Sequence, residues 1–283
     1  MQVTPPLFHQ LFTVHAERYG TVHPFVFALL PNKQEQTYTR FWNAVLQLKP
    51  NLAPSHVLTD FEQASISAIR QAFPHTQTVG CFFHFSQAVW RKVQQVGLQT
   101  KYNSDADFNV AVRQLPALAF VPPDHLENYF GDVSDALENF PNLTDLENQR
   151  VADLLTYFEA TYLGVLNRRG VRRRPLFQRE FWNVYDRTRS GLARTNNAVE
   201  AWHRGLCDSF NMQHPTIWKF ITGLREEQNH RDTVMEGLIA GNQPQPVRRR
   251  YRELQAKILT IVNDFDNREV NDYVRGIANN ITL

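Results

Sequence analysis

Two apolar runs near the start of the chain, residues 7–15 (LFHQLFTVH) and 22–30 (VHPFVFALL), flank the link Tyr19-Gly20-Thr21. Aromatic and β-branched residues dominate both runs, and a short glycine-containing link between them predicts an antiparallel hairpin. The next sixty-odd residues narrow the choice further. Residues 35–48 space Tyr38, Phe41, Trp42, Val45 and Leu46 three and four apart, a helical pattern that Pro50 and Pro54 close. Residues 56–59 predict a short buried strand. Residues 62–73 predict a helix with Ile66, Ile69 and Phe73 on one side, stopped by Pro74, and residues 76–83 and 86–96 predict another strand and helix. The order β-β-α-β-α-β-α makes the fold class α/β.

Beyond residue 97 the strand signals fade. Residues 108–115, 125–130 and 151–166 carry helical periodicity between proline-containing links, so 97–191 is expected to be a helical insertion. Helices are expected over 195–210 and 217–239, then a linker, Gly241-Asn-Gln-Pro-Gln-Pro246, and a last helical segment over 251–277. The expected organisation is an α/β part over 1–96, the insertion over 97–191, C-terminal helices of the core over 192–240, and linker plus terminal segment over 241–283.

With 283 residues, 42% apolar and 20% charged, the chain has the composition of a globular protein rather than a disordered one. No run approaches the ~18 apolar residues of a spanning helix. The start, Met1-Gln-Val-Thr-Pro-Pro, has neither a basic nor a long apolar stretch, so secretion is not expected. Two cysteines, Cys81 and Cys207, suggest no disulfide framework, which favours an intracellular setting. The net charge is only +2, but Arg168, Arg169, Arg172, Arg173 and Arg174 fall within seven residues, and Arg248, Arg249, Arg250 and Arg252 form a second run. Clustered arginine is the usual electrostatic footprint for phosphate; a solvated loop or a localisation signal gives the same pattern.

Three short motifs can carry chemistry. Asp60 ends an apolar strand and precedes a helix, where open α/β sheets bind ligands and a carboxylate can hold a hard cation. The alternative is a capping box formed by Thr59 and Glu62. Glu200 and His203 stand three apart on one helix face; the alternative is an Asn197 cap with Glu200 as its third residue. Cys81-Phe-Phe-His84, read at a strand end, has metal-ligand spacing but lacks two of the four ligands of a structural zinc. A buried cysteine and a hydrogen-bonded histidine are the favoured reading of these residues by themselves. Glu200-x-x-His203 and Glu227-x-x-His230 also have the spacing of di-iron bundles, a reading that the strand-rich first third opposes.

Taken in order, the motifs resemble a known family. His56-Val-Leu-Thr-Asp60-Phe-Glu-Gln-Ala64, Ala72-Phe73-Pro74 and Cys81-Phe-Phe-His84 are similar to the core of Mutator-like element (MULE) transposases. So are Pro6-Leu-Phe-His-Gln-Leu-Phe-Thr-Val-His15 upstream, and Phe181-Trp-Asn-Val-Tyr185 and Arg194-Thr-Asn-Asn197 to Glu200-Ala-Trp-His203 downstream. The resemblance spans roughly residues 4–210. It implies a ribonuclease-H-like mixed sheet with a large helical insertion, and phosphoryl transfer on transposon DNA ends with two divalent ions, magnesium or manganese.

Carried over residue by residue, Asp60 and Glu200 match the second and third acidic ligands, 140 residues apart across the insertion. Cys81, His84 and His203 match supporting positions. Arg168, Arg169, Arg172, Arg173, Arg174, Asn196 and Asn197 are the expected nucleic-acid contacts. The family's first aspartate lies on a strand before the position of Thr4, so the expected sheet lacks its first strand and the chain as given is expected to be catalytically incomplete. The alternative is a non-catalytic DNA-binding descendant. DNA is the expected partner, in the nucleus, with neither membrane nor small-molecule substrate; a homo-oligomer is left open.

Overall fold

The computed structural model describes residues 3–246 and 248–283. The chain divides into two compact units, Met1–Thr78 with Asn196–Val247, and Val79–Thr195 with Arg248–Leu283.

In the first unit, β1 (Gln10–Arg18) and β2 (Thr21–Leu30) form the expected hairpin. The strands close on Tyr19 and Gly20, whose φ angles of 51° and 73° make the left-handed two-residue turn that suits the twist of paired strands. The register breaks between Val14 and His15, which face Val26 and Pro24. Proline has no N–H to give the ladder, and sheets accept it at such bulges. Helix α1 (Glu35–Leu48) and helix α2 (Gln63–Ala72) flank strand β3 (His56–Thr59) in sequence. Tyr38, Phe41, Trp42 and Val45 of α1 meet Ala68 and Ile69 of α2, and Phe12, Val14, Val26 and Ala28 of the hairpin pack against them. The 3–4 spacing seen in the sequence is thus the buried face of α1.

β3 pairs with β4 (Gln77–Gly80), the strand in which the chain passes from the first unit to the second. The hairpin and the β3–β4 pair are separate two-stranded sheets. The fold is therefore mixed α/β as expected, but among the described residues the one mixed sheet is not formed, because no strand hydrogen-bonds β1 or β2 to β3.

In the second unit, α3 (Phe82–Gln95) is followed by α4 (Gln99–Ser104), α5 (Ala106–Ala117), α6 (Leu126–Glu138) and α7 (Asp145–Phe158). A capping box starts α7: Thr144 accepts from the Glu147 N–H while the Glu147 carboxylate accepts from the Thr144 N–H. A π-helical turn, Glu159–Leu163, ends α7 at Gly164, and the short helices α8 (Arg179–Trp182) and α9 (Tyr185–Arg189) follow. Phe85 is fully buried between Phe158, Tyr162 and Trp182, with ring centroids 6.1, 4.8 and 5.1 Å away.

The chain returns to the first unit for α10 (Asn197–Phe210) and α11 (Ile217–Ile239). There Trp202 and Leu206 pack with Val3, Leu11 and Phe27. It ends in the second unit with α12 (Arg249–Asn263) and α13 (Val270–Ala278). The Tyr273 hydroxyl donates to Phe120 O at 2.5 Å and Arg113 donates to Ile281 O at 2.9 Å.

The second compact unit begins at Val79 and takes in α3, which buries Phe85, Val89 and Val93. The segment after the linker belongs with that unit, through the Tyr273 and Ile281 bonds.

A candidate acidic site on the first unit

Asp60 lies just past the end of β3, exposed, and outside any helix. The capping-box alternative for Thr59 and Glu62 is not realised: α2 starts later, with Glu62 as its cap residue and no side-chain cap bond. Glu62 instead accepts a 2.6 Å bond from the Tyr38 hydroxyl and pairs with Lys33 at 3.3 Å. Burial, with the Glu62 carboxylate beside it, pushes the Tyr38 hydroxyl well above its ordinary range. The turn that carries Asp60 is thereby fastened to α1.

Asn196, rather than Asn197, is the cap residue of α10. Its side chain does not cap the helix; its Nδ2 donates to Asp60 Oδ1 at 3.3 Å. Its carbonyl accepts from the Glu200 N–H at 3.0 Å. One asparagine therefore ties the first turn of α10, with Glu200 on it, to the carboxylate at the end of β3. Asn197 is exposed at the first helical position.

One turn beyond Glu200, His203 turns to the hairpin. Its Nε2 lies 3.1 Å from Thr13 Oγ1, which is 3.0 Å from His15 Nε2. His15 packs edge-on to Trp202 with centroids 4.9 Å apart, beside the bulge that re-aims this part of β1. Burial, then the neighbouring His203 and Arg231, lower the His15 pKa to about 4. Burial lowers His203 as well, while the negative charge of Asp60 opposes that. The first unit thus brings together Asp60, Asn196, Glu200 and His203, and adds Thr13 and His15. The sequence marks the last two only as members of the motif over residues 6–15, with no role of their own.

Cys81 and His84 lie in the second unit. The expected strand over 76–83 stops at Gly80; Cys81 is the cap residue of α3, and Phe82, Phe83 and His84 form its first turn. The helix starts this early because Phe82, Phe85 and Val89 are buried at helical spacing. The Phe82 N–H donates to Arg194 O at 2.8 Å, and the buried Arg187 donates to Gly80 O at 3.0 Å. Desolvation lowers the pKa of Arg187 to about 10, and does the same to Arg194. Sequence reasoning missed Arg187 and named Arg194 only as the first residue of a motif. The Arg187 guanidinium braces the end of β4 through Gly80 O, whereas that of Arg194 donates to Thr188 and Gln255 and only its backbone carbonyl meets α3.

Of the five clustered arginines, Arg168, Arg169, Arg173 and Arg174 are exposed, whereas Arg172 is largely buried. Arg172 donates to Glu159 and to Gly164 O, each at 2.7 Å, and its Nε lies 3.5 Å from Glu127. Glu227 accepts from Trp202 Nε1 at 2.6 Å and pairs with Arg231 at 2.5 Å.

Among the described residues, no group of three or more His, Cys, Asp or Glu side chains is arranged to hold a metal ion. No helix of the described residues is long and apolar enough to cross a membrane.

Residues 4–88 match the family model of the MULE transposase domain. The matched stretch contains the hairpin, Asp60, Cys81 and His84, and stops short of Arg194–His203. Over that part of its length the chain is similar to the MULE transposase domain. No curated protein and no solved structure matches the chain.

Proposed function

We propose that this is a transposase-derived protein that acts on DNA, with Asp60 and Glu200 the acidic residues of a ribonuclease-H-like site. The observation that carries this reading is the Asn196–Asp60 hydrogen bond. It joins the matched segment to a motif 136 residues away that the match does not reach, and sets Glu200 one helical turn from that junction. Arg194-Thr-Asn-Asn197 and Glu200-Ala-Trp-His203 then have a common purpose, which is to present a carboxylate beside Asp60.

The family implies divalent magnesium or manganese, which would stabilise charge on the attacking and leaving oxygens. The residues described do not make a complete cage for such an ion. Magnesium is octahedral and is usually held by one or two carboxylates with water and substrate phosphate completing the shell. Asp60 and Glu200 can supply that much and no more. Metal affinity of the protein alone is accordingly weak, and strand cleavage by it is expected to be slow. The support offered by the chain's own residues is positional: Asn196 orients Asp60, and His203, whose charged form burial disfavours, fastens α10 to β1 through Thr13. The nucleus is the proposed location.

The test is a manganese titration followed by paramagnetic broadening of backbone resonances, with Asp60→Asn and Glu200→Gln alongside. The reading expects broadening centred on residues 60 and 196–203 and its loss in either variant. Broadening that neither substitution changes would remove the acidic pair from consideration. Nicking of supercoiled plasmid with manganese, measured on the same three proteins, reports whether the pair also cuts.

A further inference from the structure

The arginine-rich segment is a built hairpin rather than a loose loop. Leu166 and Arg172 form an antiparallel bridge, with Asn167 N–H donating to Val171 O and Arg173 N–H to Val165 O, both at 2.9 Å. The tip is closed twice. Gly170, at φ 71°, donates to Asn167 O at 3.0 Å, and the Asn167 side chain accepts from the N–H groups of Arg169 and Val171 at 2.8 and 3.1 Å. An asparagine that bonds its own backbone two residues on is a self-contained turn.

The base is fixed as firmly. Gly164, at φ 88°, passes so close to the returning strand that a Cβ on it would stand 1.8 Å from Arg173 O. The largely buried Arg172 clamps the same place, donating to Gly164 O and Glu159.

Arg172 is therefore an internal fastener, and the other four arginines are what the hairpin displays. Arg168 and Arg169 stand at the tip and Arg173 and Arg174 at the base, all exposed and with no ion pair among the described residues. Four guanidinium groups on a pre-ordered ribbon lose less freedom on binding than four on a flexible loop. Each planar guanidinium can also offer two parallel N–H donors to two phosphate oxygens, which a lysine ammonium cannot.

We infer that the hairpin over 165–173, with Arg174, is a docking finger for the phosphate backbone of duplex DNA, in which Arg168, Arg169, Arg173 and Arg174 touch phosphate and Arg172 does not. This deepens the reading of the chain as a DNA-acting protein and rests on it. Contacts of this kind give affinity and position without reading sequence.

The experiment is fluorescence anisotropy of a labelled duplex of random sequence, repeated over a salt series. It compares the unaltered protein, a variant with Arg168, Arg169, Arg173 and Arg174 changed to Ala, and one with Arg249, Arg250, Arg252 and Lys257 changed to Ala, which loses the same charge elsewhere. The logarithm of affinity falls with the logarithm of salt by about 0.9 per phosphate neutralised. The hairpin variant is expected to lose about 3 to 4 from that slope, and the control much less. Equal losses in both, or none in the hairpin variant, would overturn the finger while leaving the DNA reading in place. No binding by the unaltered protein would overturn the DNA reading and the finger together, as would attachment to phosphatidylserine vesicles without attachment to the duplex. Glutamine at the same four positions serves if the alanine variant fails to fold, since it removes charge and keeps much of the side-chain length.

Discussion

Asn196 donates its side-chain N–H to Asp60 across 136 residues of sequence, at 3.3 Å, and offers its carbonyl to the N–H of Glu200. A helix cap residue is here diverted from its own helix to a strand end. Because the bond is long and partly exposed, its contribution is modest, about 1 kcal/mol. Asn196→Ala and Asp60→Asn should each lower stability of the first unit, and the double variant should cost less than the sum. Urea denaturation of the four proteins gives the coupling; strict additivity would mean that the bond does not hold in solution.

Gly164→Ala should damage the arginine hairpin selectively. Its left-handed φ alone costs an alanine of order 1–3 kcal/mol, and the approach to Arg173 O leaves no room for a methyl group. Amide hydrogen exchange at Asn167 and Arg173 should accelerate while exchange in α1 and α2 is unchanged. Unaltered protection at both amides would show that the hairpin tolerates the change.

Acid should weaken the first unit through His15. Its pKa is about 4 in the folded chain against 6.5 unfolded, so the unfolded chain takes up the proton first. Stability is full above about pH 6.5, falls as pH drops towards 4, and stops falling through this group below that. The Nδ1 of His15 is buried without a hydrogen-bond partner among the described residues, and His203 and Arg231 add positive charge nearby. His203 contributes in the same direction. His15→Gln should flatten the slope between pH 6.5 and 4 in denaturant midpoints, and a slope as steep as before would place the acid sensitivity elsewhere.

The α7 capping box offers a separate check on the second unit. Thr144→Ala removes the acceptor for the Glu147 N–H and should cost about 1 kcal/mol. Phe85→Ala, which empties a site enclosed by Phe158, Tyr162 and Trp182, should cost about 3–5 kcal/mol. Thermal melts of the two variants should therefore differ several-fold in their shift.

Much of the fold was legible in the residues. Glu35–Leu48, His56–Thr59 and Ile217–Ile239 are bounded where the apolar spacing and the prolines put them. The hairpin was visible from its composition, though its strands run to the turn at Tyr19 and Gly20 rather than stopping at His15. The start of α3 was not legible, because the β-branched and aromatic residues within 76–83 suit a strand and only the buried partners of Phe82 and Phe85 make its end helical. The break at Asp264 between the last two helices is a local turn that periodicity passes over. At the site, the motif order pointed to Asp60 and Glu200, and the bond that relates them needed coordinates. Charge counting grouped five arginines that the fold separates into four displayed and one enclosed.

The chain enters the second unit at residue 79, leaves it at 195 and re-enters near 248. A ribosome delivers these pieces in that order. The hairpin, α1 and α2 are made before α10 and α11 and must wait for them before Trp202 and Leu206 can cover Leu11 and Phe27. The helical unit in turn waits for its last 36 residues, Arg248–Leu283, before Tyr273 reaches Phe120. Until those later segments are made, Leu11, Phe27 and Phe120 therefore lack their covers.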